Sequence, residues 1–183
     1  MGYLKYVAKI WKNKENKELN RDRKIEWRAS NSVVRVEKPL KITRARALGY
    51  KAKQGYFIVR VKLLRGGRQR PLIKKGRSSS KRGRTKIVSK KYQGIAEERA
   101  NRKYPNCEVL GSYNIGKDGK NGFYEIILID RVQGSRYDGN KFLAYSQGRV
   151  FRGLTSAARK ARGLLGKGRG YEHARPSKRA NNR

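Results

Sequence analysis

The sequence predicts an α+β fold, with a compact core of roughly 75 residues and long basic segments attached to it. Three observations lead to this prediction. Stretches with the two-residue period of strands are interleaved with stretches that have the 3.6-residue period of helices. The chain of 183 residues has a formal net charge of +36. Its acids are also unevenly placed, because residues 38–96 contain 20 Lys and Arg and no Asp or Glu.

The charge predicts a polyanionic partner. The 49 Lys and Arg stand against only 13 Asp and Glu, so the isolated chain repels itself strongly. Apolar residues make up 36% of the chain, against about 45–50% in typical globular domains, which indicates a small core. The acids concentrate in residues 15–37 and 97–138, and beyond these the only acid is Glu172. We therefore expect a compact part flanked by segments that face phosphate.

Composition excludes several other classes of protein. One cysteine and one histidine, Cys107 and His173, are too few for an intrachain disulfide or a structural zinc site. The longest apolar run, residues 126–129, is far shorter than the roughly 18 residues that suggest a membrane span. The N-terminus lacks the layout of a signal peptide. These features predict a soluble intracellular protein without a membrane partner, whose polyanion is nucleic acid.

Two helices are predicted at the N-terminus. Apolar residues at helical spacing predict the first over residues 3–19. The second is predicted over residues 21–36 and ends before Pro39, although residues 33–36 also suit a short strand. Arginines recur every seven residues along it, either as a solvated face or as phosphate contacts: Arg21, Arg28 and Arg35.

A glycine-bounded loop follows one or two helical turns. Thr43 is the expected N-cap of the turns over residues 43–48, and Gly49 ends them. Residues 49–55 combine glycines, which permit close backbone approach, with an aromatic side chain and two lysines: Tyr50, Lys51 and Lys53. This loop is either a ligand-binding loop or a tight connector with a core tyrosine.

Residues 56–64 alternate as a half-buried strand, and a basic insert follows them. The insert, residues 65–91, contains 12 Lys and Arg, no acid and few apolar side chains, so it cannot bury enough surface to fold alone. Structureless connections of this length are uncommon inside compact domains. We expect the insert to become ordered against nucleic acid, with residues 85–89 as a further short strand.

A helix and two strands follow the insert. The helix is predicted over residues 90–104 and is ended by Pro105. A strand over residues 107–115 is expected to place four side chains on one face: Cys107, Val109, Tyr113 and Ile115. After a turn at 116–122, residues 123–130 form a strand that is apolar on both faces and therefore central in its sheet.

The last third of the chain is rich in Gly and Arg. A short helix capped by Thr155 is predicted over residues 155–162, and an extended tail from residue 166 onward. The predicted organisation has three parts: an N-terminal helical segment (1–48), an α+β core (49–131) that carries the insert, and a C-terminal extension (132–183).

No constellation of residues supports catalysis. Residues 111–117 have the glycine and lysine spacing of a phosphate-binding loop, but Asp118 stands where that motif needs Ser or Thr. The flanking pattern is strand–turn–strand, so the glycines do not lead into a helix N-terminus. Glu97 and Glu98 are adjacent on a helix and point in different directions, which does not suit a carboxylate pair. The chain is predicted to be neither an enzyme nor a binder of small-molecule substrates.

Several motifs occur in a characteristic order and spacing. They are Leu48-Gly49-Tyr50-Lys51-Ala52-Lys53-Gln54-Gly55, Ala96-Glu97-Glu98-Arg99-Ala100, Glu125-Ile126-Ile127-Leu128-Ile129-Asp130, and Arg152-Gly153-Leu154-Thr155-Ser156-Ala157 before Gly166-Lys167-Gly168. With them, nearly the whole chain resembles large-subunit ribosomal protein fifteen of the archaeal and eukaryotic type, which is distinct from the bacterial protein of the same number. The ending Arg175-Pro176-Ser177-Lys178-Arg179 resembles archaeal members.

The resemblance implies a small, mostly antiparallel sheet with packed helices, and extensions that penetrate RNA; residues 85–89 are the best candidate for its fourth strand. It implies a structural constituent of the large ribosomal subunit in the cytoplasm, with large-subunit rRNA and neighbouring ribosomal proteins as partners. We expect no homo-oligomer and no cofactor or protein metal site, with any Mg²⁺ associated with the RNA. The rival from another class is a chromatin or DNA-compacting protein, although the Lys/Ala-rich repeats typical of such proteins are absent.

The predicted RNA contacts are basic side chains and stacking tyrosines. Tyr50, Tyr56 and Tyr171 are expected to stack on unpaired bases. The basic residues before the insert are Arg21, Arg28, Arg35, Arg44, Arg46, Lys51 and Lys53. Those of the insert are Arg65, Arg68, Arg70, Lys74, Lys75, Arg77, Lys81, Arg82 and Arg84. Those of the C-terminal extension are Arg152, Arg159, Lys160, Arg162, Lys167, Arg169, Arg175 and Arg179.

Overall fold

The computed structural model describes residues 2–12, 17–69, 71, 75–76, 85–86, 88, 90–134, 136, 141–166, 168 and 171. Its helices are α1 (Leu4–Lys12), α2 (Lys17–Ala29), α3 (Ile42–Ala47), α4 (Tyr92–Lys103), α5 (Arg131–Gly134), α6 (Lys141–Tyr145) and α7 (Ser156–Ala161). Its strands are β1 (Val33–Val36), β2 (Tyr56–Leu64), β3 (Arg68–Gln69), β4 (Thr85–Lys86), β5 (Cys107–Lys117) and β6 (Asn121–Asp130). Within these residues, every helix is too short or too polar to cross a membrane.

Four of the strands form one antiparallel sheet in the order β1-β2-β6-β5. β2 and β6 pair along their length, from Tyr56 opposite Ile129 to Leu64 opposite Asn121. Residues 122–129 of β6 are all buried, because the strand has a neighbour on each side and a packed layer on each face. The predicted α+β fold and the central position of the 123–130 strand are confirmed.

The fourth strand of this sheet is β1, so the expectation that residues 85–89 supply it is wrong. Thr85–Lys86 do form a strand, but β4 pairs with β3 in a separate two-stranded sheet. The second predicted helix is also too long, since α2 ends at Ala29. Three of the four residues of β1 are valines, whose branched side chains favour the extended backbone that pairs with β2.

Other helix ends also differ from the prediction. α1 ends at Lys12 rather than at residue 19, and residues 17–20 belong to α2; residues 13–16 lie outside the described part of the chain. α3 begins one residue before the expected cap, so Thr43 lies inside it. α4 is confirmed, and so is α7, where the Thr155 hydroxyl accepts a hydrogen bond from the Ala158 amide.

A β-bulge in β5 divides the side chains that were expected to share one face. The register with β6 shifts between Val109 and Gly111, so one extra residue opposes the partner strand. Cys107 and Val109 therefore pack on the α4 side of the sheet, whereas Tyr113 and Ile115 pack on the opposite side. The run 111–117 is strand throughout, which confirms that its glycine spacing does not form a phosphate-binding loop.

The sheet is covered on both faces. α4 packs on one face through Ala96 and Ala100. On the other face, Trp27 of α2 and Ala45 of α3 join a second cluster around Phe123 of β6. Residues beyond 131 complete the core, where the buried apolar side chains are Leu143, Val150 and Ala157. All three predicted parts of the chain therefore contribute buried side chains around the same sheet.

Candidate nucleic-acid interface

The predicted cations before the insert lie on the outside of the molecule. α2 and α3 cover the same face of the sheet, so the arginines on their outer sides belong to one layer. The Arg28 guanidinium reaches the Asp118 carboxylate at 3.4 Å, and that of Arg35 lies 5.1 Å from the Phe57 ring centre. The exposed members of the predicted set are Arg21, Arg28, Arg35, Arg44, Arg46, Lys51 and Lys53.

The insert is described mainly at its base. Arg65 binds the turn between β5 and β6, because its guanidinium donates hydrogen bonds to the carbonyl oxygens of Asp118 at 2.9 Å and Gly119 at 3.1 Å. Lys75 is exposed, with a positive φ of 63°, and Arg68 is described only in its backbone. The predicted contacts that lie outside the described residues are Arg70, Lys74, Arg77, Lys81, Arg82, Arg84, Lys167, Arg169, Arg175 and Arg179.

The C-terminal cations gather beside the start of α4. Arg152 and Arg162 line a cavity of about 270 Å³ together with Lys90 and Lys91. Arg162 is half-buried and donates to the Gly153 carbonyl at 3.2 Å. Arg159 and Lys160 are exposed on α7. Lys90 and Lys91 at the end of the insert therefore lie beside Arg152 and Arg162 of the C-terminal extension.

The three tyrosines expected to stack on bases have different surroundings. Tyr56 is only 8% exposed and packs with Ile129 and Leu143, so a stacking role for it is wrong. Tyr50 is half-buried and meets Tyr56 edge-on at 6.5 Å between ring centres, which favours the alternative of a core tyrosine in a tight connector. Tyr171 is 41% exposed, and its stacking role stays a prediction.

Four glutamates are buried in this polycationic protein: Glu97, Glu98, Glu108 and Glu125. The Glu125 carboxylate accepts hydrogen bonds from the Tyr113 hydroxyl and, at 3.1 Å, from the Leu40 amide. Burial raises the pKa of Glu125, while these two donors lower it. The sequence signal for the burial of Glu125 was its position in a strand that is apolar on both faces.

The other three buried glutamates also bind segments outside the sheet. Glu97 accepts from the hydroxyls of Ser112 and Thr155, the latter at 2.6 Å. Burial raises the pKa of Glu97, and these hydrogen bonds lower it. Glu108 accepts from the Gly148 amide at 2.6 Å. Glu98 pairs with Lys90 at 2.6 Å and with Arg102 at 3.7 Å.

Some cations outside the predicted set contact aromatic rings. Arg23 and Lys41 lie 5.9 and 5.4 Å from the ring centre of Trp11, so α1 is held between α2 and the start of α3. Burial lowers the pKa of Lys41. Arg149 lies 5.3 Å from the centre of the Phe142 ring. The sequence signal for the contacts of Arg23 and Lys41 was Trp11, because tryptophan is the preferred aromatic partner of cations.

The described residues hold no cluster of three or more His, Cys, Asp or Glu that is suited to a metal ion. Cys107 is buried at 6% exposure, and burial raises the pKa of its thiol to about 11. The thiol is therefore protonated near neutral pH, as expected of a small core residue.

Comparison with known proteins covers almost the entire chain. A family model described as Ribosomal L15 matches residues 2–181. A protein of Methanocorpusculum labreanum, named Large ribosomal subunit protein eL15, is 48% identical to this chain over 178 residues. That similarity spans 94% of this chain and 92% of the relative. The family match includes the sheet, the helices around it and the acid-free residues 38–96.

Proposed function

Because the chain belongs to the ribosomal L15 family in its archaeal and eukaryotic form, we propose that it binds folded rRNA as a structural constituent of the large ribosomal subunit. Such a protein works in the cytoplasm, within the ribosome. Members of this family are structural components rather than enzymes. The role assigned to this chain is to hold RNA segments together by charge and shape.

The observation that carries this proposal is the excess of cations over acids on the exposed surface. Among the acids with described side chains, four are buried and accept hydrogen bonds or ion pairs from within the protein. Arg21 and Arg28 of α2 and Arg44 and Arg46 of α3 are exposed. A carboxylate that is enclosed by its own donors does not face a phosphate, and the exposed cations outnumber the exposed acids, which are Asp22, Glu26 and Glu37 among the described side chains.

Binding by such a surface is driven by the release of counterions from the phosphates. The logarithm of the affinity is expected to fall with the logarithm of salt by about 0.7–0.9 for each phosphate neutralised. Any Mg²⁺ at the interface is proposed to be held by RNA phosphates, since the carboxylates of Glu97, Glu98 and Glu125 already have partners in the protein. Neighbouring ribosomal proteins are proposed to meet the surfaces that RNA leaves uncovered.

Fractionation of ribosomes tests the proposal. The full chain should sediment with large subunits on a sucrose gradient through moderate salt, and RNase but not DNase should release it. In the purified system, it should bind large-subunit rRNA more tightly than double-stranded DNA of equal length and at equal salt concentration. Recovery of the protein only in RNA-free fractions, or release by DNase, would contradict the proposal and favour a DNA-compacting protein.

A further inference from the structure

A groove of about 1200 Å³ opens between the end of β2 and the start of α4. Apolar side chains form much of its wall, and two of them are unusually exposed for their type: Leu64 at 75% and Val88 at 42%. Tyr92 and Tyr124 also line it. A hydrophobic wall that is open to water is a common mark of a binding groove.

The charge of the groove has one sign. Its described lining includes Arg65, Lys90, Lys91 and Arg99, and none of the described lining residues is acidic. Lys91 and Arg99 are exposed, so their charges are accessible to a ligand in the groove. Lys90 pairs with Glu98 and Arg65 binds the β5–β6 turn, so these two cations stand in fixed positions.

Two hydrogen bonds join the two sides of the groove. The Tyr92 hydroxyl accepts a hydrogen bond from the Gly66 amide at 2.7 Å and donates one to the Gly66 carbonyl at 3.0 Å. Gly66 adopts a φ of +117°, which favours glycine over residues with side chains. Gly66, at the start of the insert, is therefore hydrogen-bonded to the start of α4.

We propose that this groove binds a short run of unpaired RNA nucleotides, with bases against the apolar wall and phosphates at Lys91 and Arg99. This inference rests on the proposed rRNA binding and assigns one site within it. A duplex hides its base faces, whereas unpaired bases offer flat apolar faces together with a charged backbone. The volume exceeds the roughly 300–1,000 Å³ of small-molecule pockets, so the groove has room for more than one nucleotide.

Binding of oligonucleotides to the full chain tests the site. The variant combines Leu64→Ser with Lys91→Gln, and both positions are exposed. The Lys91 side chain makes no hydrogen bond that caps α4. Lys38→Gln is the matched control, because it removes one exposed lysine charge outside the groove. The probes are an eight-nucleotide single-stranded RNA and an RNA duplex of the same length, compared at equal salt.

The double variant should weaken single-strand binding about tenfold, a change of about 1.4 kcal/mol, while its effect on duplex binding matches that of the control. Leu64→Met with Lys91→Arg should restore most of the single-strand affinity. Ultraviolet crosslinking in isolated large subunits should attach nucleotides to peptides that contain Tyr92 or Tyr124, both of which line the groove.

Three results would overturn the proposed site. They are an equal loss of single-strand affinity in the control, crosslinks confined to other peptides, and an acidic peptide that displaces the single-stranded RNA from the groove. In each case, continued sedimentation of the chain with large-subunit rRNA would leave the proposed function standing. Failure of the unmodified chain to associate with that rRNA would refute both proposals. Circular dichroism of each variant separates a loss of fold from a loss of site.

Discussion

Acidic side chains are distributed differently in the core and in the basic insert beside it. The sheet and α4 bury four glutamates, whereas the insert, residues 65–91, contains no acid at all. Each buried glutamate binds a donor that lies outside the sheet and α4. Those donors are Leu40 before α3, Thr155 before α7, Gly148 after α6, and Lys90 at the end of the insert.

The contacts of the four buried glutamates show that these acids attach segments to the core rather than balance the surface charge. A surface ion pair contributes little to stability, about 0–1 kcal/mol. Removal of a buried acceptor costs more, because it leaves buried donors without a hydrogen-bond partner. The core therefore depends strongly on each glutamate, while an exposed cation can be changed with little effect on the fold. Predictions that remove one partner at a time test this contrast.

The largest effect is expected for Glu125. Replacement by Ala leaves the Tyr113 hydroxyl and the Leu40 amide without their acceptor inside the protein, and it also opens a cavity. We expect Glu125→Ala to lower the free energy of unfolding by about 3 kcal/mol, as measured by urea denaturation of the full chain. Glu125→Gln should cost less, since the amide keeps one acceptor oxygen.

The matched control is Glu37→Ala, because Glu37 is an exposed acid outside the sheet. It should change the free energy of unfolding by no more than about 0.5 kcal/mol. Equal losses for the two alanine variants would mean that net charge, rather than burial, governs the role of the acids. The contrast between the core and the basic segments would then be wrong.

Much of the fold was predictable from the sequence, because the period of apolar residues reports burial directly. The 56–64 and 123–130 strands and the 90–104 helix fall where their patterns predicted them. The bulge in β5 was not predictable, since one extra residue exchanges the two faces of a strand without changing its composition. The place of β1 in the sheet depends on pairing with β2, a contact that is distant along the chain.

The basic part of the site was also predictable, because charge is visible in composition. The partners of the buried glutamates were not, since Glu125 and Leu40 are 85 residues apart in the chain. The groove likewise depends on residues from the end of β2 and the start of α4, which the insert separates in the sequence. Long-range contacts of this kind leave no local pattern.

The second prediction concerns the pH dependence of stability. Burial raises the pKa of Glu97 in the folded state above its ordinary value of 4.5. At pH values between 4.5 and this raised pKa, the folded state therefore binds more protons than the unfolded state. The stability contributed by the protonated form is complete below the unfolded pKa, and it is lost as pH rises through the folded pKa. The slope for one group cannot exceed about 1.4 kcal/mol per pH unit.

Glu97→Gln removes this titration. The free energy of unfolding of the unmodified chain minus that of the variant should fall as pH rises from 4 toward 8, as measured by paired urea titrations at constant salt. A rise in this value with pH would show that the donors from Ser112 and Thr155 outweigh burial and hold the pKa of Glu97 down. Glu97 would then act in the core as a charged acceptor.

The smallest effect is expected at Tyr92, where a hydroxyl rather than an acid fastens the insert. Tyr92→Phe removes both hydrogen bonds to Gly66 and keeps the ring. Because these bonds are exposed to solvent, we expect a loss of about 1 kcal/mol or less in the free energy of unfolding. Amide hydrogen exchange should accelerate at the start of the insert and stay unchanged in β2 and β6.

Tyr104→Phe is the matched control, since it removes a hydroxyl just beyond the opposite end of α4, where the ring meets Phe57 at 5.2 Å. Exchange at the start of the insert should be unaffected in this variant. If Tyr92→Phe also accelerates exchange across the sheet, the insert and the core unfold together. The basic insert would then be part of the cooperative unit, and its attachment would matter to the core as much as the buried glutamates do.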